Sequence, residues 1–152
     1  VWPKLSLRLP ELELHLAGRY MTDWLTNLSI PRVIVDGEVP DVWEYMQRFS
    51  IMVVPLFSGS GIRIKIVEAM AAGKAIITTT IGAEGINYEN GQDLLIAKDA
   101  KSFADAIIRL CSDSALRESL GRNARMLIAK DHDNTKLMQK LIAFYNELLT
   151  KN

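Results

Sequence analysis

Residues 51 to 79 read Ile51-Met52-Val53-Val54, then Pro55-Leu56-Phe57-Ser58-Gly59-Ser60-Gly61, then Ile62-Arg63-Ile64-Lys65-Ile66-Val67-Glu68-Ala69-Met70-Ala71-Ala72-Gly73, then Lys74-Ala75-Ile76-Ile77-Thr78-Thr79. The first run is wholly apolar and stops at a proline, as a buried strand does. The glycine-spaced loop opens a helix for which Gly73 is the natural C-terminal stop. A second apolar strand follows. Strand, helix, strand with apolar strands implies a parallel sheet covered by helices on both faces.

The pattern extends outward. Leu12, Leu14 and Leu16 alternate with polar or small residues and end at Gly18, which reads as a short strand. Tyr20, Trp24, Leu25 and Leu28 stand at helical spacing. Val33-Ile34-Val35 is a strand closed by Asp36-Gly37, and Pro40-Asp41 opens a short helix with Val42, Tyr45, Met46 and Phe49 inward. Leu94-Leu95-Ile96 is a further strand. Beyond it the pattern is helical: Phe103, Ala106, Ile107 and Leu110, then Leu116, Leu120, Ala124 and Leu127, then Leu137, Leu141, Phe144 and Leu148. The fold class is α/β, a doubly wound, mostly parallel, Rossmann-like sheet with a helical C-terminal tail. Residues 1–152 read as one domain, with 133–150 as a C-terminal helix.

Composition narrows the function. The chain has 152 residues, 49% hydrophobic and 24% charged, enough for a full core. Eighteen basic residues balance 18 acidic ones, which argues against nucleic acid as a partner. A lone Cys111 fits a reducing compartment, and His15 and His132 have no metal-binding spacing. No apolar run approaches the ~20 residues of a membrane span. The start at Val1-Trp2-Pro3, without Met, suggests a piece of a longer protein.

Ligands of doubly wound sheets bind beyond the carboxyl ends of the strands. Gly59, Ser60 and Gly61 let backbone approach a ligand, and the following helix, from Ile62 on, offers unpaired N–H groups and a positive dipole end. Arg63 and Lys65 on an apolar, buried helix need partners, and a diphosphate is one. Glu68 can accept hydrogen bonds from ribose hydroxyls. Plainer alternatives stay open: an ordinary turn at Gly59, solvated Arg63 and Lys65, or an i, i+3 pair between Lys65 and Glu68. A dinucleotide fingerprint from Gly59 fails at Ile64, and a P-loop ending at Gly73-Lys74 fails at Ala75.

The stretch from Gly59 to Ile77 resembles the donor-site signature of family-four retaining glycosyltransferases of the GT-B fold. Gly37-Glu38-Val39, Thr79 to Gly85 and Asn90 to Ile96 resemble its flanking segments. The resemblance covers about residues 12 to 130. It implies that the chain is the C-terminal domain, which binds a nucleotide-diphosphate sugar beside a separate acceptor domain. It implies that Glu68 holds the ribose and that the backbone at Glu38 and Val39 faces the base. An ordinary strand-end turn is the alternative there. The family's other glutamate falls on Ser60, a departure that leaves the sugar open. No residue is a catalytic nucleophile or base, and neither a metal nor a cofactor is expected. The acceptor, a glycan or a lipid-linked molecule, stays unidentified. The expected place is the cytoplasm, with peripheral membrane contact by the intact protein left open. Alternatives are a nucleotide-sugar epimerase of the same fold and a non-catalytic nucleotide or interaction module.

The resemblance also implies that the domain's first, central strand precedes residue 1. A gap is therefore expected between the strands at 12–17 and 51–54. It would be filled by rearranged pairing or by another chain, or left open at a cost in stability. In the GT-B fold the last helix crosses to the other domain, so part of its apolar stripe is expected to be exposed and to drive self-association.

Overall fold

The apolar runs form parallel strands, and helices separate most of them. The computed structural model describes residues 1–61, 63–131 and 134–150. Helix α1 (Trp2–Arg8) leads into β1 (Leu14–Ala17), and α2 (Asp23–Thr26) into β2 (Val33–Gly37). Then come α3 (Val42–Gln47), β3 (Ile51–Val54), α4 (Ile64–Ala71), β4 (Ala75–Thr78) and β5 (Leu95–Ile96). Helices α5 (Ala100–Ser112), α6 (Ser114–Asp131) and α7 (Asn134–Thr150) follow. None of the described helices is long and apolar enough to cross a membrane.

The sheet is divided. β1 pairs with β2, and β3, β4 and β5 pair in that order, all in parallel. No strand bridges β1 and β3 among the described residues, so the expected gap is present.

Period-two alternation sorts the core onto two faces of the larger sheet. Ile51, Val53, Ala75, Ile77 and Leu95 pack with Leu5 of α1, Phe103 of α5 and Leu120 of α6. Met52, Val54 and Ile76 pack with Met46 of α3, Ile66 and Met70 of α4, and Ala124 of α6. Every residue of β4 is buried, as befits a strand with neighbours on both edges and helices on both faces.

Several local expectations are corrected. The helix expected around residues 19–28 shrinks to α2, because Tyr20 adopts a left-handed φ of 55° that ends any helical run there. Its ring is 97% exposed, and Trp24 is exposed as well. Val42 is also exposed rather than inward. It follows the N-cap Asp41, whose carboxylate accepts the Glu44 N–H at 2.9 Å, and it sits on the outer side of the first turn. The helix expected from Ile62 starts at Ile64, and Ile62 itself lies outside the described residues. In the tail, Leu141, Phe144 and Leu148 are all exposed, whereas the side chain of Leu137 lies outside what is described.

Candidate functional site

The loop from Pro55 to Gly61 leaves the carboxyl end of β3, and buried threonines of the neighbouring strand hold its start. The Thr78 hydroxyl donates to the Val54 carbonyl at 2.9 Å, and the Thr79 hydroxyl donates to the Leu56 carbonyl. Thr79 Oγ1 in turn accepts the Gly82 N–H at 3.0 Å. The loops after β3 and β4 are thereby stitched together. The signal was present in the sequence as hydroxyls at the end of an apolar run, but their role needed the partner strand to be visible.

Beyond this anchor the chain turns through Gly59 (φ 125°) and Gly61 (φ 80°), both in the left-handed region. Arg63 then takes extended angles and becomes the N-cap of α4, with no side-chain capping bond. The Ile66 and Val67 N–H groups both reach the Arg63 carbonyl, at 2.8 and 3.2 Å. The N–H groups of Ile64 and Lys65 precede the first helical acceptor and stand at the positive end of the dipole.

The Arg63 side chain folds back over the loop. Its Nη1 donates to the Ser60 carbonyl at 2.6 Å, while Nε and Nη2 are buried with no hydrogen-bond partner among the described residues. A Cβ on Gly59 would lie 2.4 Å from Nη2, so glycine there is what gives the guanidinium room. Two desolvated, unpaired cationic N–H donors carry a penalty that an anion would remove.

The other residues expected at the site fall in different settings. Gly59, Ser60 and Gly61 are exposed on the loop. Glu68 is half-buried on the second turn of α4. Lys65 is solvent-exposed rather than buried, because the buried stripe of α4 runs through Ile66, Ala69 and Met70. It forms no ion pair with Glu68 among the described residues, so the i, i+3 alternative is not realised. Glu38 and Val39 follow Gly37 (φ 71°) at the carboxyl end of β2. The Glu38 carboxylate is taken by Arg19 Nε at 2.7 Å, with both side chains exposed, and Val39 is half-buried. Among the described residues, no hydrogen bond or ion pair joins Glu38 or Val39 to the loop at 59–68.

A polar cluster absent from the sequence expectations lies beside β1. Asp36 Oδ2 contacts His15 Nδ1 at 2.8 Å and accepts the Tyr45 hydroxyl at 2.6 Å. Phe49 packs its ring on both His15 and Tyr45. Burial acts to raise the Asp36 carboxyl, but hydrogen bonds from Tyr45 and His15 outweigh it and hold the group below its ordinary value. Burial, and then the bond to Asp36, push the Tyr45 phenol upward. The cluster joins residues 21 and 9 positions apart, a proximity that no local pattern announces.

Fold and loop together define the class: a parallel α/β domain whose glycine-rich loop runs from a buried strand into a helix N-terminus. The model of the family "Glycosyl transferases group 1" matches residues 1–113, and the chain belongs to that family. It is 25% identical over 93% of its length to an uncharacterized 44.6 kDa protein in the cps region of Klebsiella pneumoniae. It is 26% identical over 86% of its length to the capsular polysaccharide biosynthesis glycosyltransferase CapM of Staphylococcus aureus. The chain spans 39% and 35% of these two relatives. Among solved structures, HepE of Anabaena in complex with UDP and glucose aligns over 95% of this chain and 43% of its own. The TM-score is 0.80 at 18% identity, a likeness of fold.

Proposed function

We propose that the chain supplies the donor-binding half of a retaining glycosyltransferase. The intact enzyme moves a sugar from a nucleotide-diphosphate sugar to an acceptor hydroxyl on a glycan or a lipid-linked molecule. The observation that carries this is Arg63, with one guanidinium nitrogen tied to the glycine loop and two buried donor nitrogens unpaired among the described residues. A diphosphate satisfies such donors and stays bound as the bond to the sugar breaks and its electron pair passes to the phosphate oxygen. Stabilising that developing charge with fixed donors is electrostatic preorganisation.

In this proposal the backbone of Gly59, Ser60, Gly61 and Ile62 and the free N–H groups of α4 face the phosphates. Arg63 supplies the bidentate charge, and Lys65 supplies a solvated charge at the rim. Glu68 takes the ribose hydroxyls, and the backbone at Glu38 and Val39 borders the base. The nucleotide sugar is the substrate, and the mechanism uses no resident cofactor or metal. Family membership and the likeness to a capsular polysaccharide biosynthesis glycosyltransferase of Staphylococcus aureus support a role in glycan biosynthesis.

Calorimetric titration of the full-length protein with UDP, GDP and ADP tests the proposal. One nucleotide should saturate, with affinity falling about tenfold or more in Arg63→Ala, in line with the loss of charge-assisted bonds. Glu68→Ala should weaken the same nucleotide. Gly59→Ala should also weaken it by displacing the guanidinium, while the domain stays folded. Absence of binding by all three nucleotides, or binding indifferent to Arg63→Ala, would overturn the assignment.

A further inference from the structure

The turn that leaves β2 carries Glu38 and Val39, and among the described residues its anchors come from β1 and α3 rather than from the glycine loop. The Gly18 N–H donates to the Gly37 carbonyl at 2.8 Å, continuing the β1–β2 ladder. Arg19 Nε pairs with the Glu38 carboxylate at 2.7 Å, but both side chains are exposed, and such pairs contribute little. The stronger anchor is Asp36, directly before the turn. Its Oδ2 contacts His15 Nδ1 at 2.8 Å and accepts the Tyr45 hydroxyl at 2.6 Å. At neutral pH the carboxylate is charged and the phenol neutral, so this short bond is charge-assisted.

The Tyr45 bond closes this segment on itself. From Asp36 the chain turns at Gly37 (φ 71°), passes Val39 and Pro40 and enters α3 at its N-cap Asp41. Tyr45, one turn into α3, reaches back to Asp36. The start and the end of the turn are thereby tied together, which removes backbone freedom from the residues between them. Aromatic packing reinforces the tie. The Phe49 ring centroid lies 4.7 Å from that of His15 and 4.9 Å from that of Tyr45. The Arg48 guanidinium stands 5.4 Å from the centroids of both the Tyr45 and Phe49 rings.

We infer that His15, Asp36 and Tyr45 are positioning residues for nucleobase recognition: through Asp36 they fix the backbone of Glu38 and Val39, so that the base meets a preformed edge. The inference rests on the donor-site reading above, in which that backbone borders the base. Reading a base edge takes backbone groups held at fixed spacing. A turn that wanders has to be ordered by the ligand, and the ordering entropy is subtracted from the affinity. The phosphates are assigned to the glycine loop and Arg63, which share no hydrogen bond with the triad among the described residues. The triad should therefore govern the grip on the base and leave the grip on the diphosphate intact.

Calorimetric titration of the full-length protein with UDP, GDP, ADP and inorganic pyrophosphate tests it, together with backbone ¹⁵N relaxation. Tyr45→Phe removes one hydroxyl and keeps the ring on Phe49, so the domain stays folded. It should weaken the preferred nucleotide about fivefold, the scale of one net hydrogen bond, and leave pyrophosphate within about twofold. In the free variant the Glu38 and Val39 amides should show lower order parameters than in the unsubstituted protein, and nucleotide should restore them. Asp36→Ala should weaken the nucleotide further, and Asp36→Asn, which keeps an acceptor for Tyr45, should lose less than Asp36→Ala. Equal losses for nucleotide and pyrophosphate would overturn the inference, because a general loosening of the domain produces that pattern. Nucleotide binding indifferent to Tyr45→Phe, with order at Glu38 and Val39 unchanged, would overturn it while leaving the donor-site reading in place. Absence of nucleotide binding by the unsubstituted protein would overturn that reading and this inference with it.

Discussion

At the scale of single residues, Asp36 shows how a short side chain organises a region. Its carboxylate gathers His15 from β1 and Tyr45 from α3 at 2.8 and 2.6 Å. Its pKa is lowered from 3.8 in the folded state. A depressed carboxyl contributes stability that is fully present above the unfolded pKa and is lost as pH falls through the folded one. Asp36→Asn should therefore cost about 1 kcal/mol at neutral pH, the scale of one net hydrogen bond. The cost should fade as pH falls below 3.8 and through the lowered folded value, where the native carboxyl becomes protonated as well. Urea unfolding of both proteins between neutral and acid pH checks this, and a cost that persists unchanged in acid would assign the effect to packing. Arg63 belongs to the same scale. Its position in the sequence marks it as a candidate, but only the folded loop shows which of its nitrogens are spent and which are free.

At the scale of elements, the contact between α6 and the turn after α4 is set by two glycines. A Cβ on Gly121 would lie 2.1 Å from the Gly73 carbonyl oxygen, and Gly73 itself has φ 71°. The helix backbone touches the turn directly, and backbone cannot step aside as a flexible side chain can. Gly121→Ala should destabilise the domain by about 1–3 kcal/mol, the usual cost of overpacking. Chemical denaturation measures it, and a change below about 0.5 kcal/mol, the scale of an ordinary surface substitution, would contradict the close approach. The start of α5 is built from its own sequence by contrast. The Asp99 carboxylate accepts the Ser102 N–H at 2.7 Å, and Ser102 Oγ accepts the Asp99 N–H at 3.1 Å. Such a capping box is complete within four residues and needs no packing partner from elsewhere in the chain.

At the scale of the whole molecule, α7 stands out. Leu141, Phe144 and Leu148 lie on one stripe and are 45%, 56% and 47% exposed. A contiguous apolar stripe in water favours association. Sedimentation of the 152-residue chain should show reversible, concentration-dependent association. Leu141→Glu combined with Phe144→Glu should shift it to monomer without lowering the melting temperature of the body. A monomer at every concentration would remove α7 as an association surface.

Local pattern alone determined much of this protein. Apolar runs ending at proline or glycine specified the strands, amphipathic stripes specified α5 to α7, and paired glycines specified a loop that can meet an anion. These features depend on neighbours a few residues away, so a linear reading captures them. Tertiary structure decided the rest. A partnered Lys65 on a buried helix and a solvated Lys65 were both open from the sequence, and the rotation of α4 on the sheet, which buries Ile66 and Met70, turns Lys65 to solvent. Tyr20 and Trp24 share a helical spacing on paper, but the left-handed Tyr20 stays outside the helix, which starts at Asp23 and holds only Trp24 of the two. The cluster of His15, Asp36 and Tyr45 and the two facing strand edges arise from segments distant in sequence. Their positions follow from how sheets and helices pack, and no window of sequence contains that information.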